Sequence, residues 1–170
     1  FKKLSNEFSG ALTGKGLNWG GSLIRAQAAG YGCVYFAAEM LATRNLSFDG
    51  QICLVSGSGN VAQHTTEKLI DLGAQVVTLS DSSGYIYDPD GIDKNKLAFV
   101  KRLKNIRRGR IKDYVENYPG AIYTQSDIHQ QNNPLWTHRA SCAFPCATQH
   151  ALTEEDAYAL INNHVKLVYE

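Results

Sequence analysis

Gly57, Gly59 and Ala62 stand in the run Val55-Ser56-Gly57-Ser58-Gly59-Asn60-Val61-Ala62, a G-x-G-x-x-A spacing. That spacing carries chemistry only where a strand feeds a helix. The first glycine then makes the tight turn, the second lets a diphosphate touch the backbone, and the small third residue keeps the helix close to the sheet. The unpaired N–H groups and positive end of the helix attract phosphate oxygens. Here Gln51–Ser56 is short and apolar (Ile52, Cys53, Leu54, Val55), as a buried parallel strand should be. Asn60–Leu72 reads as a helix closed by Gly73. This context favours the pyrophosphate of a dinucleotide over a plain glycine-rich turn. Gly57, Ser58 and Gly59, with the first helical residues Asn60 and Val61, are the expected contacts.

A second strand, Ala74–Ser80, leads to Asp81, at the distance where an acid sits beside the adenosine ribose. An acid there accepts from a free 2′-hydroxyl and repels a 2′-phosphate, which argues for NAD. Ser82 and Ser83 follow at once and can donate to phosphate oxygens. Lys101, Arg102, Lys104, Arg107, Arg108, Arg110 and Lys112 offer the cations such a phosphate needs, or form a solvated helix face. On these residues alone NAD and NADP stand level.

His138, Cys142, Cys146 and His150 recur every fourth position. On one helix they would line a face and suit zinc. Pro145 breaks that helix, and Ala143-Phe144 favours a strand. In a strand, residues four apart lie about 13 Å from one another, too far to share a metal. No metal site is expected. There is no G-x-S-x-G elbow and no H-E-x-x-H, and no proton-transfer group stands out, so no catalytic residue is assigned.

The elements that must position these residues follow from periodicity. Residues 1–27 read as loop, and a helix is expected from Ala28 to Thr43, with Val34, Ala37, Ala38 and Leu41 at helical spacing. Asp81 to Gly91 reads as a small hairpin carrying Tyr85-Ile86-Tyr87. A basic helix spans Asp93–Arg107, residues 118–139 read as irregular, and Ser141–Ala147 is a third strand. Thr153 caps a helix to Asn163, with Glu155 and Asp156 in its first turn, and Val165–Tyr169 is a fourth strand. The β-α-β alternation predicts an α/β fold with a doubly wound parallel sheet, a Rossmann-like domain over residues 28–170.

At 170 residues the chain supports one such domain, and a formal net charge of +1 gives no global field for nucleic acid or a membrane surface. No apolar run approaches the length of a membrane span. The four cysteines resemble no secreted disulfide framework, which points to a reducing compartment such as the cytoplasm. The chain opens on Phe1 and closes on Glu170 in strand-like sequence, so it reads as a piece of a longer protein.

Leu12-Thr13-Gly14-Lys15-Gly16, Trp19-Gly20-Gly21-Ser22-Leu23-Ile24-Arg25, Gly30-Tyr31-Gly32, Ser56-Gly57-Ser58-Gly59-Asn60-Val61-Ala62, Ser80-Asp81-Ser82-Ser83-Gly84 and Phe144-Pro145-Cys146-Ala147-Thr148-Gln149 occur in this order. Together they closely resemble the hexameric NADP-dependent glutamate dehydrogenases. The resemblance implies reversible oxidative deamination of L-glutamate to 2-oxoglutarate and ammonium, with hydride passing to NADP. It places the substrate lysines and catalytic aspartate in a domain before Phe1, with residues 1–27 as the linker from it, and a Gly-Ala-Asn segment after Glu170. It implies that the intact protein is a homo-hexamer.

By the same resemblance, Asn60 and Arg25 approach the nicotinamide end, and Ala147, Thr148 and Gln149 fall near its pocket. Ser82, Lys104 and Arg107 approach the 2′-phosphate, which favours NADP over NAD. Two departures cluster at the reacting end. Ala29 stands where the family has a threonine, and His150 where it has an asparagine. The alternatives are a non-catalytic NADP(H)-binding or regulatory module, and a degenerate amino-acid dehydrogenase.

Overall fold

Along a strand, successive side chains point to opposite faces, and β1 (Ile52–Ser56) divides the core accordingly. Cys53 and Val55 belong to one cluster with Val34 and Ala37 of helix α1 (Ala28–Ala42) and with Ala62 and Leu69 of α2 (Asn60–Asp71). Leu54, between them, packs with Leu135, Trp136 and Leu160, the last from α5 (Glu154–Asn162). β1 therefore has helices on both faces. Val34, Ala37, Cys53, Leu54, Val55, Ala62 and Leu69 are all fully buried, and each large apolar side chain contributes about 1.5–3 kcal/mol on burial.

The structure is a computed structural model describing residues 16–19, 21, 26–126, 132–149 and 151–170. The remaining elements are β2 (Gln75–Val76), β3 (Thr78–Asp81), β4 (Gly84–Tyr87), α3 (Lys94–Asn105), α4 (Tyr114–Asn117), β5 (Ile122–Gln125), β6 (Cys142–Pro145) and β7 (Leu167–Val168). Leu17–Trp19, Ile111–Asp113 and Pro134–Thr137 form 3-10 turns, the first inside the stretch expected as loop.

Four strands pair in parallel in the order β2-β1-β6-β7. From β1 the chain moves outward to β2 on one side and later to β6 on the other. The strand order thus reverses between β1 and β6, where the loops leaving the carboxyl ends diverge and open a crevice. This is the expected doubly wound α/β fold.

Two features depart from the sequence expectation. The second strand is not continuous. Gln75 and Val76 pair with β1, but from Thr78 the chain turns to pair antiparallel with β4. Side-chain hydroxyls replace the lost backbone pairing: Val55 N–H donates to Thr78 Oγ1 at 2.9 Å, and Thr78 Oγ1 donates to Val55 O at 3.1 Å. Second, β5 lies within the 118–139 stretch expected to be irregular. It completes an antiparallel sheet β3-β4-β5, with Tyr85 opposite Thr124 and Ile86 opposite Tyr123.

Candidate functional site

The crevice at the switch point is a cleft of about 440 Å³. Its lining comes from the β1–α2 loop (Ser56, Gly57, Ser58, Gly59), the end of β3 (Ser80, Asp81, Ser82) and the segment after β6 (Cys146, Ala147, Thr148, Ala151), with Asn133 at the lip. Sequence reasoning placed Gly57, Ser58, Gly59, Asp81, Ser82, Ala147 and Thr148 here, and it missed Ser56, Ser80, Asn133, Cys146 and Ala151 as lining.

The loop is held rigid from beneath. Gly57 N–H donates to Ser80 Oγ at 2.7 Å, and Ser80 N–H returns a bond to Gly57 O at 3.0 Å. The side chain of Gln63, 1% exposed, donates to Ser58 O at 2.8 Å. Ser56 Oγ accepts from Cys146 N–H at 3.2 Å, joining the loop to β6. Gly57 has φ of +85°, and a Cβ there would lie 2.6 Å from Cys146 O. Only glycine fits the turn.

Gly59 is different. Its φ is −81°, ordinary for any residue, and a Cβ there would meet nothing within 4 Å. The space above it is open to the cleft. Gly59 is also the N-cap of α2, and no side chain caps that helix. The first N–H groups of a helix have no partner within it, so this end presents free donors and a positive dipole beside open space.

The acid is bound otherwise than its type suggests. Asp81 Oδ1 accepts from Ser83 N–H (2.9 Å) and Ser83 Oγ (2.6 Å), and Oδ2 accepts from Lys104 Nζ (2.9 Å) and Ile111 N–H (2.8 Å). Burial alone would raise its pKa. The bonds from Ser83, Ile111 and Lys104 outweigh it and hold the carboxyl down at about 2. With four donors on two oxygens and a paired cation, Asp81 is a structural anion, and its repulsion of a phosphate is largely cancelled.

Lys104, expected as a phosphate cation, is committed to Asp81 and to Gly109 O at 3.0 Å. The basic run does not act as one face. Lys101 Nζ turns to Glu67 at 2.6 Å, Arg107 is exposed, and Arg110 Nη1 donates to Ser82 Oγ at 2.7 Å. Sequence reasoning named Arg110 only within the run. Its contact with Ser82 comes from the turn after α3, which periodicity does not report.

At the other end of the cleft, Ala147 and Thr148 are exposed lining residues, and Gln149 is exposed beside them. Asn60 Nδ2 donates to Ala26 O at 2.6 Å, tying the start of α2 to the start of α1. Val61 is half-buried in the first turn of α2. Arg25 and His150 lie outside the described residues. His138 stacks on Tyr87 with ring centroids 4.0 Å apart, and Cys142 is buried in β6 opposite Cys53.

A parallel sheet wound on both faces, with a glycine turn and an uncapped helix at the strand-order reversal, defines a Rossmann-like α/β domain. The chain belongs to the Glutamate/Leucine/Phenylalanine/Valine dehydrogenase family, whose model matches residues 20–170. It is 56% identical over 170 residues to the NAD(P)-specific glutamate dehydrogenase of Xylanibacter ruminicola, covering 100% of this chain and 37% of that protein. It is 52% identical over 171 residues to the NADP-specific glutamate dehydrogenase of Helicobacter pylori, covering 100% of this chain and 38% of that one. The crystal structure of Plasmodium falciparum glutamate dehydrogenase superposes with a TM-score of 0.84 at 43% identity, over 99% of this chain and 35% of that chain. The chain thus spans little more than a third of the length of the relatives it matches.

Proposed function

We propose that residues 28–170 form the coenzyme-binding domain of a glutamate dehydrogenase and that the cleft takes NADP(H). The observation that carries this reading is the uncapped start of α2 beside Gly59, where a Cβ would enter empty space. A dinucleotide's diphosphate fits that cradle, with Gly57, Ser58, Gly59, Asn60 and Val61 supplying backbone contact. The adenosine end then lies toward Ser82. There the Arg110 guanidinium, already on the Ser82 hydroxyl, suits a 2′-phosphate. Asp81, saturated by its own donors, keeps the turn in place rather than selecting NAD. Arg107, exposed just past α3, would add positive field there by family likeness, and Lys104 acts through Asp81.

The nicotinamide end lies toward Ala147, Thr148 and Gln149, with Arg25 as a further contact. These residues would hold the nicotinamide, and the bound coenzyme would supply the hydride acceptor for the oxidative deamination of L-glutamate, with water, to 2-oxoglutarate and ammonium. Among the described residues the cleft lining contains Asp81, held by its own donors, and Cys146 as titratable groups. By family likeness, proton transfer and glutamate binding are assigned to parts of the relatives that this chain does not span. We propose a homo-hexamer and a cytoplasmic setting for the whole protein. Among the described residues no helix is long and apolar enough to cross a membrane.

Titration of this chain with NADPH and NADH, followed by calorimetry, tests the reading. Saturable binding with preference for NADPH is expected, without glutamate-dependent reduction of NADP. Folded protein that binds neither coenzyme refutes it.

A further inference from the structure

A glutamine on the buried side of a helix is costly unless its amide is bonded. Gln63 of α2 is 1% exposed, and both hydrogens of its amide are spent. Nε2 donates to Ser58 O at 2.8 Å and to Asn105 Oδ1 at 3.0 Å, and Oε1 accepts from Asn105 Nδ2 at 3.0 Å. The Gln63 backbone N–H donates to Gly59 O at 2.9 Å. One residue therefore holds two consecutive carbonyls of the glycine turn. Its partner Asn105 is the last residue of α3, 42 positions away and exposed. An apolar side chain would fill the same space with no partners, so packing alone gives no reason for an amide here.

Peptide geometry supplies the reason. Across a trans peptide the carbonyl and the N–H point in opposite directions, and no cis peptide occurs among the described residues. Gln63 draws Ser58 O toward the interior. The Gly59 N–H then faces the other way, into the cleft that Ser58 and Gly59 line. Among the described residues nothing accepts from that N–H. With the peptide turned over, Ser58 O would face the cleft and repel a diphosphate oxygen. Gly59 has no side chain to resist such a turn, and the bond from Gln63 does so instead. Asn105 meets the Gln63 amide through both its oxygen and its nitrogen, which fixes the plane of that amide from outside α2.

We propose, on the reading of the cleft as a coenzyme site, that Gln63 is a positioning residue for the coenzyme's diphosphate. It holds the Ser58–Gly59 peptide with its N–H toward the cleft, and Asn105 braces it from α3. Two amides outside the glycine spacing thus set the strength of diphosphate binding, which NADPH and NADH share. Arg110, at the other end, separates the two coenzymes.

Calorimetry of the parent, Gln63→Met and Asn105→Ala with NADPH, NADH and adenosine 2′-monophosphate tests this. The last ligand carries the adenosine end and its 2′-phosphate but no diphosphate. Gln63→Met keeps the bulk of the side chain and loses the donor. It is expected to weaken NADPH and NADH by the same factor, about ten- to hundredfold, and to leave adenosine 2′-monophosphate unchanged. Asn105→Ala keeps the bond to Ser58 and should weaken both dinucleotides about three- to tenfold. Equal loss for all three ligands in Gln63→Met marks a purely structural residue and overturns the proposal. Parent affinity for NADH in either variant overturns it too, and Asn105→Ala decides alone where Gln63→Met does not fold. A folded parent that binds neither dinucleotide overturns the coenzyme reading and this positioning role together, whereas a binding parent with unchanged variants overturns the positioning role only.

Discussion

Two glycines two positions apart do separate jobs, and substitution tells them apart. Gly57→Ala forces a side chain into a left-handed backbone and against Cys146 O. The strain alone costs roughly 1–2 kcal/mol, so both thermal stability and coenzyme binding should fall. At Gly59 a Cβ meets no protein atom within 4 Å. Gly59→Val should therefore lower Tm only modestly, as a poorer N-cap than glycine, and still abolish binding by filling the space a diphosphate needs. A stable Gly59→Val variant that binds NADPH as the parent does refutes the placement. The cations divide likewise. Lys104 and Asp81 are 18% and 8% exposed, so Lys104→Ala strands a nearly buried carboxylate and should cost about 1–3 kcal/mol of stability. Arg110→Ala loses only a surface contact to Ser82. It should leave stability unchanged while weakening NADPH about ten- to hundredfold, the worth of one or two charge-assisted bonds. Its effect on NADH should be small, and equal loss for both coenzymes removes Arg110 from the 2′-phosphate site.

At the scale of elements, α5 reaches the cleft through one residue. Thr153 and Asp156 form a capping box. Thr153 Oγ1 accepts from Asp156 N–H at 3.2 Å, and Asp156 Oδ2 from Thr153 N–H at 3.0 Å. Asp156 Oδ1 also accepts from Asn133 N–H at 2.6 Å, so the helix cap holds the cleft lip. Thr153→Ala should cost about 1 kcal/mol. Asp156→Ala strands two N–H groups and should cost about 2–4 kcal/mol, as read by urea unfolding, with weaker NADPH binding because Asn133 loosens. If the two substitutions cost the same, Asp156 does nothing beyond capping. The cap was legible in sequence, because Thr153-Glu154-Glu155-Asp156 is a local signal. The tie to Asn133 was not, because it joins residues 23 apart. The same division explains β5. Ile122 is 59% exposed and the strand shows no alternating burial. Only pairing with β4 makes it a strand, and pairing partners leave no periodicity. β1, α2 and the glycine turn were legible because one short segment carries the apolar run, the turn and the helix together. Asp81 was legible by position, but its four donors come from Ser83, α3 and the Ile111 turn, so its type misreports its role.

Over the whole molecule, two carboxylates brace the layer of helices on one side of the sheet. Asp81 joins β3 to α3 and to the Ile111 turn. Glu67 on α2 accepts from Lys101 of α3 at 2.6 Å and from Tyr31 of α1 at 3.0 Å, with His64 Nδ1 at 3.0 Å. Burial would raise the pKa of Glu67, but the bonds from Lys101, His64 and Tyr31 hold it at about 2, the same as Asp81. A carboxyl depressed in the folded state binds its proton more readily when unfolded. Its contribution is complete above the unfolded value near pH 4 and is lost as pH falls to about 2. Tm should therefore hold steady from about pH 7 to 5 and drop steeply between about pH 4 and 2. The double variant Asp81→Asn with Glu67→Gln should start from a lower Tm at neutral pH and lose less over that acid window, because two of the linked protons are gone. Parallel curves for parent and variant between pH 4 and 2 would show that other carboxyls govern acid unfolding and that these braces carry no linked proton.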